Sequence, residues 1–312
     1  MKPIPIAIIG YGKIARDQHY PSISAMPRFR LVAAVTTQGG PPEEIRCFRD
    51  YRDMLSAMPE IEAVAIATPP SVRYEIARDC LEAGKHLLIE KPPGVTIGEV
   101  EALATLARAR DLTLFTTWHA QENEPVARAA ELLKGQRMAE LEITWHEDVR
   151  KWHPGQQWIW QAGGFGVFDP GINALSIATR IFPGMLMVRA AELFVPADKE
   201  MPIAAELRFG SPSADGPLTM SADWRGRGAD ETWTIEAATT GGTRILLSEG
   251  GRRLEVNGVL LAAAKDEDYP NIYRRFLDLI DERASHVDIG PLRLVADAFL
   301  VGRRTTVEAF GG

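Results

Sequence analysis

Short apolar runs and stretches of helical spacing alternate through the first third of this chain. Ile4–Ile9, Leu31–Val35, Ala63–Ala67, His86–Ile89 and Thr113–Thr116 are brief, aliphatic and mostly β-branched, the pattern of buried strands. Between them, Ile14–Ser24, Tyr51–Ala57, Val72–Ala83 and Ile97–Arg110 read as helices. In the third of these, Ile76, Ala77, Cys80 and Leu81 recur on one helical face, and Gly84 stands where a capping glycine belongs. Strands alternating with helices build a parallel sheet covered on both faces, and right-handed crossovers make it doubly wound.

The pattern changes after residue 122. A helix predicted over Glu124–Leu133 is followed by strand patterns near Glu140–Glu147, Met187–Val195, Ile203–Phe209, Leu218–Trp224, Glu231–Ala238, Thr243–Ser248, Arg252–Val256 and Val259–Ala263. Several alternate with period two, and short Gly, Asp and Ser turns separate many of them, so antiparallel pairing is expected. Helices predicted near Tyr269–Glu282 and Pro291–Ala309 close the chain. The expected architecture is an α/β domain over residues 1–122 and an α+β domain over 123–312. The second carries a large, mostly antiparallel open sheet, and the C-terminal helices are free to pack back on the first domain.

Composition narrows the function classes. At 312 residues the chain exceeds a typical single core, which agrees with two domains. A formal net charge of −7 argues against a nucleic-acid-binding surface, which needs clustered Lys and Arg. Cys47 and Cys80 are too few for a disulfide framework or a Cys-rich zinc site and suit a reducing cytoplasm. The apolar run Ile6–Ile9 is far short of the ~20 residues that span a bilayer, and no signal-peptide pattern accompanies it. A cytoplasmic protein with no membrane association is expected.

Gly10-x-Gly12-x-x-Ala15 follows the first strand and opens a helix, with Lys13 and Ile14 between. The first glycine permits the tight turn, the second lets the backbone approach a pyrophosphate, and Ala15 allows close helix–strand packing. A plain strand–helix turn gives the same pattern, but its place at the chain start within successive βαβ units favours a Rossmann dinucleotide-binding domain. An NAD-selective site usually places a carboxylate after the second strand, but here the strand ends Val35-Thr36-Thr37-Gln38. Glu43 and Asp50 are further on, and no Arg follows directly. The hydroxyls and amide suit a ribose 2′-OH or a 2′-phosphate, so the cofactor is NADP or NAD, with a lean to NADP or dual use. Thr68-Pro69-Pro70 and Glu90-Lys91-Pro92-Pro93 stand at the carboxyl ends of the next two strands, where ligands of doubly wound sheets bind. A plain Pro-built turn is the alternative for the first of them.

These segments together resemble the glucose–fructose oxidoreductase / inositol dehydrogenase / rhizopine-catabolism (Gfo/Idh/MocA) family. The match runs through Ile8-Ile9-Gly10-Tyr11-Gly12-Lys13-Ile14-Ala15, Thr68-Pro69-Pro70 and Ala83-Gly84-Lys85-His86-Leu87-Leu88-Ile89-Glu90-Lys91-Pro92. The resemblance implies that Lys91 reaches the reacting hydroxyl and the nicotinamide. It also implies that Thr68, Pro69, Pro70 and Glu90 border the cofactor. Arg73 departs from the pattern, since many members carry His there.

In the second domain the signature is Gly163-Gly164-Phe165-Gly166-Val167-Phe168-Asp169-Pro170-Gly171-Ile172-Asn173. Many relatives place His four residues after this Asp and use the pair for proton transfer. Here the position holds Asn173, whose amide cannot titrate as imidazole does. The resemblance therefore leaves Asp169 or Lys91 to accept the proton and Asn173 to orient a hydroxyl. Asp169 before Pro170 also fits a plain helix N-cap.

Lys91, Asp169 and Asn173, with Trp145-His146-Glu147 and Trp152-His153-Pro154-Gly155, resemble the bacterial branch that oxidises aldopyranoses of the D-galactose or L-arabinose type at C1. That implies a lactone product, hydride transfer to nicotinamide, and a small-molecule sugar as substrate. His119, Glu147 and His153 suit sugar hydroxyls, while Trp152, Trp158 and Trp160 could wall a sugar face; core packing explains Trp160 better. A zinc site at His119, His146 and His153 lacks ligand spacing. His19, His86 and His286 have no chemical neighbours in the sequence and read as structural. The resemblance further implies a homodimer through the open sheet. Two rivals stand beside this reading: chemistry at another sugar position, and a catalytically silent NAD(P)-binding sensor. Retention of both Lys91 and Asp169 argues against the sensor.

Overall fold

The computed structural model describes residues 2–37, 39–226, 231–265 and 267–311. β1 (Ile4–Ile9) is buried at every position, so a sheet built around it needs cover on both faces. The chain supplies β2 (Phe29–Val35), β3 (Arg46–Phe48), β4 (Ala63–Ile66), β5 (His86–Ile89) and β6 (Leu114–Thr116), all paired in parallel in the order β3-β2-β1-β4-β5-β6. The order reverses beside β1, which opens the crevice at its carboxyl end. Helices α1 (Tyr20–Ser24), α2 (Tyr51–Ala57), α3 (Pro70–Glu82) and α4 (Ile97–Ala109) connect the strands.

Two local differences from the sequence pattern have physical causes. β3 carries no apolar run, because Arg46 and Cys47 are exposed; it forms by pairing with β2, Ala33 opposite Arg46 and Val35 opposite Phe48. The helix expected over 14–24 begins instead as a wide π-type turn, Ala15–His19, in which the Tyr20 N–H reaches the Ala15 carbonyl. Pro21 has no N–H to donate, and its ring crowds the carbonyl of residue 17, so a regular helix cannot run through this turn.

The second sheet follows α5 (Glu124–Leu133). Its strands are β7 (Met138–His146), β8 (Met187–Pro196), β9 (Ala204–Gly210), β10 (Leu218–Asp223), β11 (Thr232–Thr239), β12 (Arg244–Ser248), β13 (Arg253–Val256) and β14 (Val259–Ala263). Helices α6 (Val149–Trp152) and α7 (Phe168–Ile181) lie between β7 and β8, and α8 (Asp268–Asp281), α9 (Gly290–Val301) and β15 (Arg303–Val307) end the chain. The sheet order is β14-β13-β12-β11-β7-β10-β9-β8-β15. Pairing is antiparallel except for β7 with β10 and β8 with β15. The helix expected over Pro291–Ala309 is thus corrected: it ends at Val301. At Gly302 an added Cβ would lie 2.4 Å from the Ala298 carbonyl oxygen and 2.9 Å from Leu193. Glycine lets the chain leave the helix there, and residues 303–307 extend the sheet beside β8.

The described chain divides into two compact units, Met1–Thr117 with Asp268–Ile289, and Trp118–Glu267 with Gly290–Gly312. The division falls between Thr117 and Trp118, compared with the boundary expected at 122. α8 joins the first unit for a reason visible in β1. Ala7 and Ile9 face Ile76, Ala77 and Cys80 of α3, while Ile6 and Ile8 face the opposite side. The five-residue α1 is too short to cover that side. Tyr269, Ile272, Tyr273, Phe276 and Leu279 of α8 complete the layer. Burial also pushes the thiol of Cys80 up to about 12, so it behaves as a small apolar side chain.

Candidate active site

In the first unit the glycine turn lies directly against the start of the Thr68 loop. Gly10 has φ +92°, and a Cβ there would lie 2.7 Å from the Ala67 carbonyl carbon and the Thr68 nitrogen. Gly12 differs, because a Cβ there would meet nothing within 4 Å among the described residues. A close backbone turn beside open space is what a pyrophosphate requires. Ile14 is 39% exposed, Lys13 pairs with Asp17, and the buried Thr68 hydroxyl oxygen has no hydrogen-bond partner among the described residues. Pro69 and Pro70 start α3, with Pro70 at its first position. These residues fit a dinucleotide.

At the end of β2, Thr36 is buried and its N–H donates to the Phe48 carbonyl, while Thr37 is exposed. Gln38 lies outside the described residues. The pairing of β2 with β3 brings Arg49 to this end, where its guanidinium donates to the Thr37 carbonyl. The nearby carboxylate of Asp50 is used differently: it accepts the Arg52 N–H at 2.7 Å and caps α2. Sequence distance hid Arg49, which stands twelve residues beyond Thr37.

The Glu90–Pro92 turn is held from two sides. Arg73, 5% exposed, folds inward from α3; Nε donates to the Thr68 carbonyl at 2.6 Å and a terminal nitrogen to the carbonyls of Glu90 and Pro92. The departure from the family pattern is therefore an arginine that ties together the two loops flanking the crevice. On the other side, Glu90 is 4% exposed, accepts the Lys91 N–H at 3.0 Å through Oε2, and accepts the Tyr269 hydroxyl at 2.8 Å through Oε1. His19 Nε2 lies 3.1 Å from the same Oε1, and its Nδ1 lies 2.8 Å from the Tyr273 hydroxyl. Burial, followed by the Glu90 charge, holds both phenols well above their ordinary pKa, so Tyr269 stays a donor. Lys91 itself is half-buried, and the Lys91–Pro92 peptide is cis. His19 thus meets a motif residue in space although it has no partner nearby in sequence. His86 and His286 are structural: one accepts the Thr113 N–H at 3.0 Å, and the other packs on Phe115.

Arg73→Met should lower stability by about 3 kcal/mol, because three carbonyls lose a charged donor. Thermal unfolding with and without cofactor checks it; a variant as stable as the parent would remove Arg73 from this role.

In the second unit, Asp169 and Asn173 stand one turn apart on α7. The N-cap reading of Asp169 is corrected: the cap is Val167, and Asp169 is the second helical residue, 3% exposed. Gly164 and Gly166 admit this tight entry, since Cβ atoms there would lie 2.3 Å from the Trp158 and Pro202 carbonyl oxygens. His153, at the end of α6, places Nε2 3.4 Å from Asp169 Oδ2. The Asn173 side-chain oxygen is buried without a hydrogen-bond partner among the described residues. Glu147 is 8% exposed at the end of β7, and His119 is half-buried in the short turn His119–Glu122. Trp152 is exposed and donates to Glu231 at 2.5 Å, Trp158 donates to Gln156, and Trp160 is buried against Trp224 and Phe310.

Residues 4–117 match the family described as "Oxidoreductase family, NAD-binding Rossmann fold". A galactose 1-dehydrogenase of Pseudomonas fluorescens is 43% identical over 311 residues, 99% of each chain. The chain belongs to the Gfo/Idh/MocA oxidoreductase family. A crystal structure of D-galactose-1-dehydrogenase from Rhizobium etli superposes with a TM-score of 0.93 at 44% identity, covering 99% of this chain and 98% of that one. A 3-ketoreductase from Actinomadura kijaniata, solved with NADP and TDP-benzene, shares the fold at 18% identity and a TM-score of 0.83, over 98% and 100% of the two chains. As a member of this family the protein is an oxidoreductase with a nicotinamide-binding Rossmann domain.

Proposed function

We propose that this oxidoreductase converts an aldopyranose of the D-galactose or L-arabinose type to its lactone, using NADP or NAD. The observation that carries the reading is the 43% identity to a galactose 1-dehydrogenase across 99% of both chains. Gly10, Gly12, Lys13, Ile14, Thr36, Thr37, Thr68, Pro69, Pro70 and Glu90 would hold the dinucleotide. The bound oxidised nicotinamide supplies the hydride acceptor. Lys91 binds the reacting C1 hydroxyl, and its ammonium stabilises the oxygen as negative charge develops there. Asp169 accepts the hydroxyl proton; an anomeric hydroxyl is more acidic than an ordinary alcohol, so a carboxylate suffices as base. Asn173, His119, Glu147 and His153 orient the remaining hydroxyls. A panel of aldoses with NAD⁺ and NADP⁺, followed by nicotinamide absorbance and lactone detection, tests this. Ketone products, or cofactor binding with no aldose turnover, would replace the reading with one of its rivals.

The same reading favours NADP, supported by Arg49 beside Thr37 and by the engagement of Asp50 in a helix cap. An arginine facing the adenosine ribose pairs with a 2′-phosphate. Arg49→Ala should weaken NADP⁺ about tenfold, ~1.4 kcal/mol, and leave NAD⁺ nearly unchanged. Calorimetric titration of each dinucleotide checks it, and equal losses for both would assign Arg49 elsewhere.

A homodimer through the second sheet belongs to the proposal as well. Along β7, Glu140 and Glu142 are outward and exposed while Leu141 and Ile143 are buried, so one sheet face is free of its own core. Light scattering at twice the chain mass would support this arrangement.

A further inference from the structure

An imidazole stands beside Asp169 of α7. It comes from His153, twenty positions before Asn173 in sequence, through the contact of 3.4 Å between Nε2 and Oδ2. We infer that His153 is the proton-accepting partner of Asp169. The inference rests on the proposed role of Asp169 as first acceptor of the sugar proton.

The hydrogen-bond network determines which ring nitrogen does this. The Trp158 indole N–H lies 3.2 Å from the Gln156 side chain and can only donate, so the Gln156 atom it meets is the amide oxygen. His153 Nδ1 lies 3.3 Å from that same oxygen and must carry a hydrogen to bond it. Nδ1 is therefore the donor to Gln156, and Nε2 is the ring nitrogen that faces Asp169. The ring plane is fixed as well. It packs edge-to-face on Trp224, with centroids 5.1 Å apart, and Trp224 is fully buried. The His153 backbone closes α6 by donating to the Val149 carbonyl at 2.8 Å, and Asp148 caps the start of that helix.

Exposure gives the pair a direction. The Asp169 side chain is 4% exposed and that of His153 21%, so the imidazole is the member in reach of water. The O–H bond at C1 breaks, and its proton passes to the Asp169 carboxylate and on to Nε2. The electron pair of that bond forms the C1–O double bond, and the C1–H leaves as hydride to the oxidised nicotinamide. The imidazolium and carboxylate then form a charge-assisted hydrogen bond until the proton passes to water. One two-electron oxidation, one hydride and one released proton balance.

The test uses the full-length protein with D-galactose or L-arabinose, whichever the parent turns over. His153→Ala should lower kcat about 10²–10³-fold, beyond any rise in the sugar KM and with the cofactor Kd within about threefold, and added imidazole should restore at least tenfold of the loss in kcat. His153→Asn, which keeps a polar side chain of similar reach, should show the same kcat loss and serves if the alanine variant fails to fold. Trp158→Phe frees the Gln156 amide; it should lower kcat a few-fold in the parent and not at all in the His153→Ala background. An unchanged kcat, a loss confined to KM, no rescue by imidazole, or additive effects of Trp158→Phe and His153→Ala would each overturn the inference. A parent that turns over no aldose overturns the proposed function instead.

Discussion

Lys91→Ala should lower kcat about 10³-fold while leaving the dinucleotide Kd within about threefold. The expectation follows from how the turn is held. The Lys91 N–H is bound by Glu90 Oε2, and the flanking carbonyls of Glu90 and Pro92 are bound by Arg73. None of these contacts uses the Lys91 side chain. Under the proposed mechanism, truncating it removes the ammonium from the reacting oxygen and leaves these backbone contacts of the turn in place. Single-turnover kinetics together with a fluorescence titration of the reduced cofactor separate the two quantities. Comparable losses in both would reassign Lys91 to binding and place the chemistry on other groups.

Substitution in the glycine turn should divide by position. Gly10→Ala is expected to cost about 3–4 kcal/mol and to abolish dinucleotide binding, because the backbone is left-handed there and the new methyl meets the Ala67–Thr68 peptide at 2.7 Å. Backbone cannot move aside as the end of a flexible side chain can. Gly12→Ala meets nothing within 4 Å among the described residues, so its stability should change by less than about 0.5 kcal/mol. Its methyl enters the space assigned to the pyrophosphate, and affinity should still fall at least about tenfold. Thermal melts and titrations of the two variants check this contrast. Equal stability of both would contradict the close approach at Gly10, and unchanged affinity of the Gly12 variant would move the pyrophosphate away from this turn.

Local order was readable where periodicity and turn chemistry act over a few residues. β1, β2, β4, β5 and the helices α2, α3 and α4 follow from apolar runs and helical stripes, and the antiparallel character of the second sheet follows from period-two segments with short connections. β3 was not readable, because Arg46 and Cys47 look like a loop until β2 provides a pairing edge. The end of α9 was misread, because Arg303–Val307 continues a plausible helix unless Gly302 is seen against Ala298 and Leu193.

The candidate site divides in the same way. The glycine turn, Thr68-Pro69-Pro70, Glu90-Lys91-Pro92 and the Asp169–Asn173 spacing are contiguous, so the residue order alone carried the family and a dinucleotide-binding fold. Folding brought in the supporting groups: Arg49 at the Thr37 carbonyl, Tyr269 and His19 at Glu90, and His153 at Asp169. Tyr269 lies 179 residues from the carboxylate it meets. No local pattern encodes such a pair, because it depends on both faces of β1 needing cover and on α8 supplying one of them. The sequence by itself determined which chemistry the motifs belong to; the tertiary structure decided which polar groups stand beside them, since those contacts arise only when burial drives distant segments together.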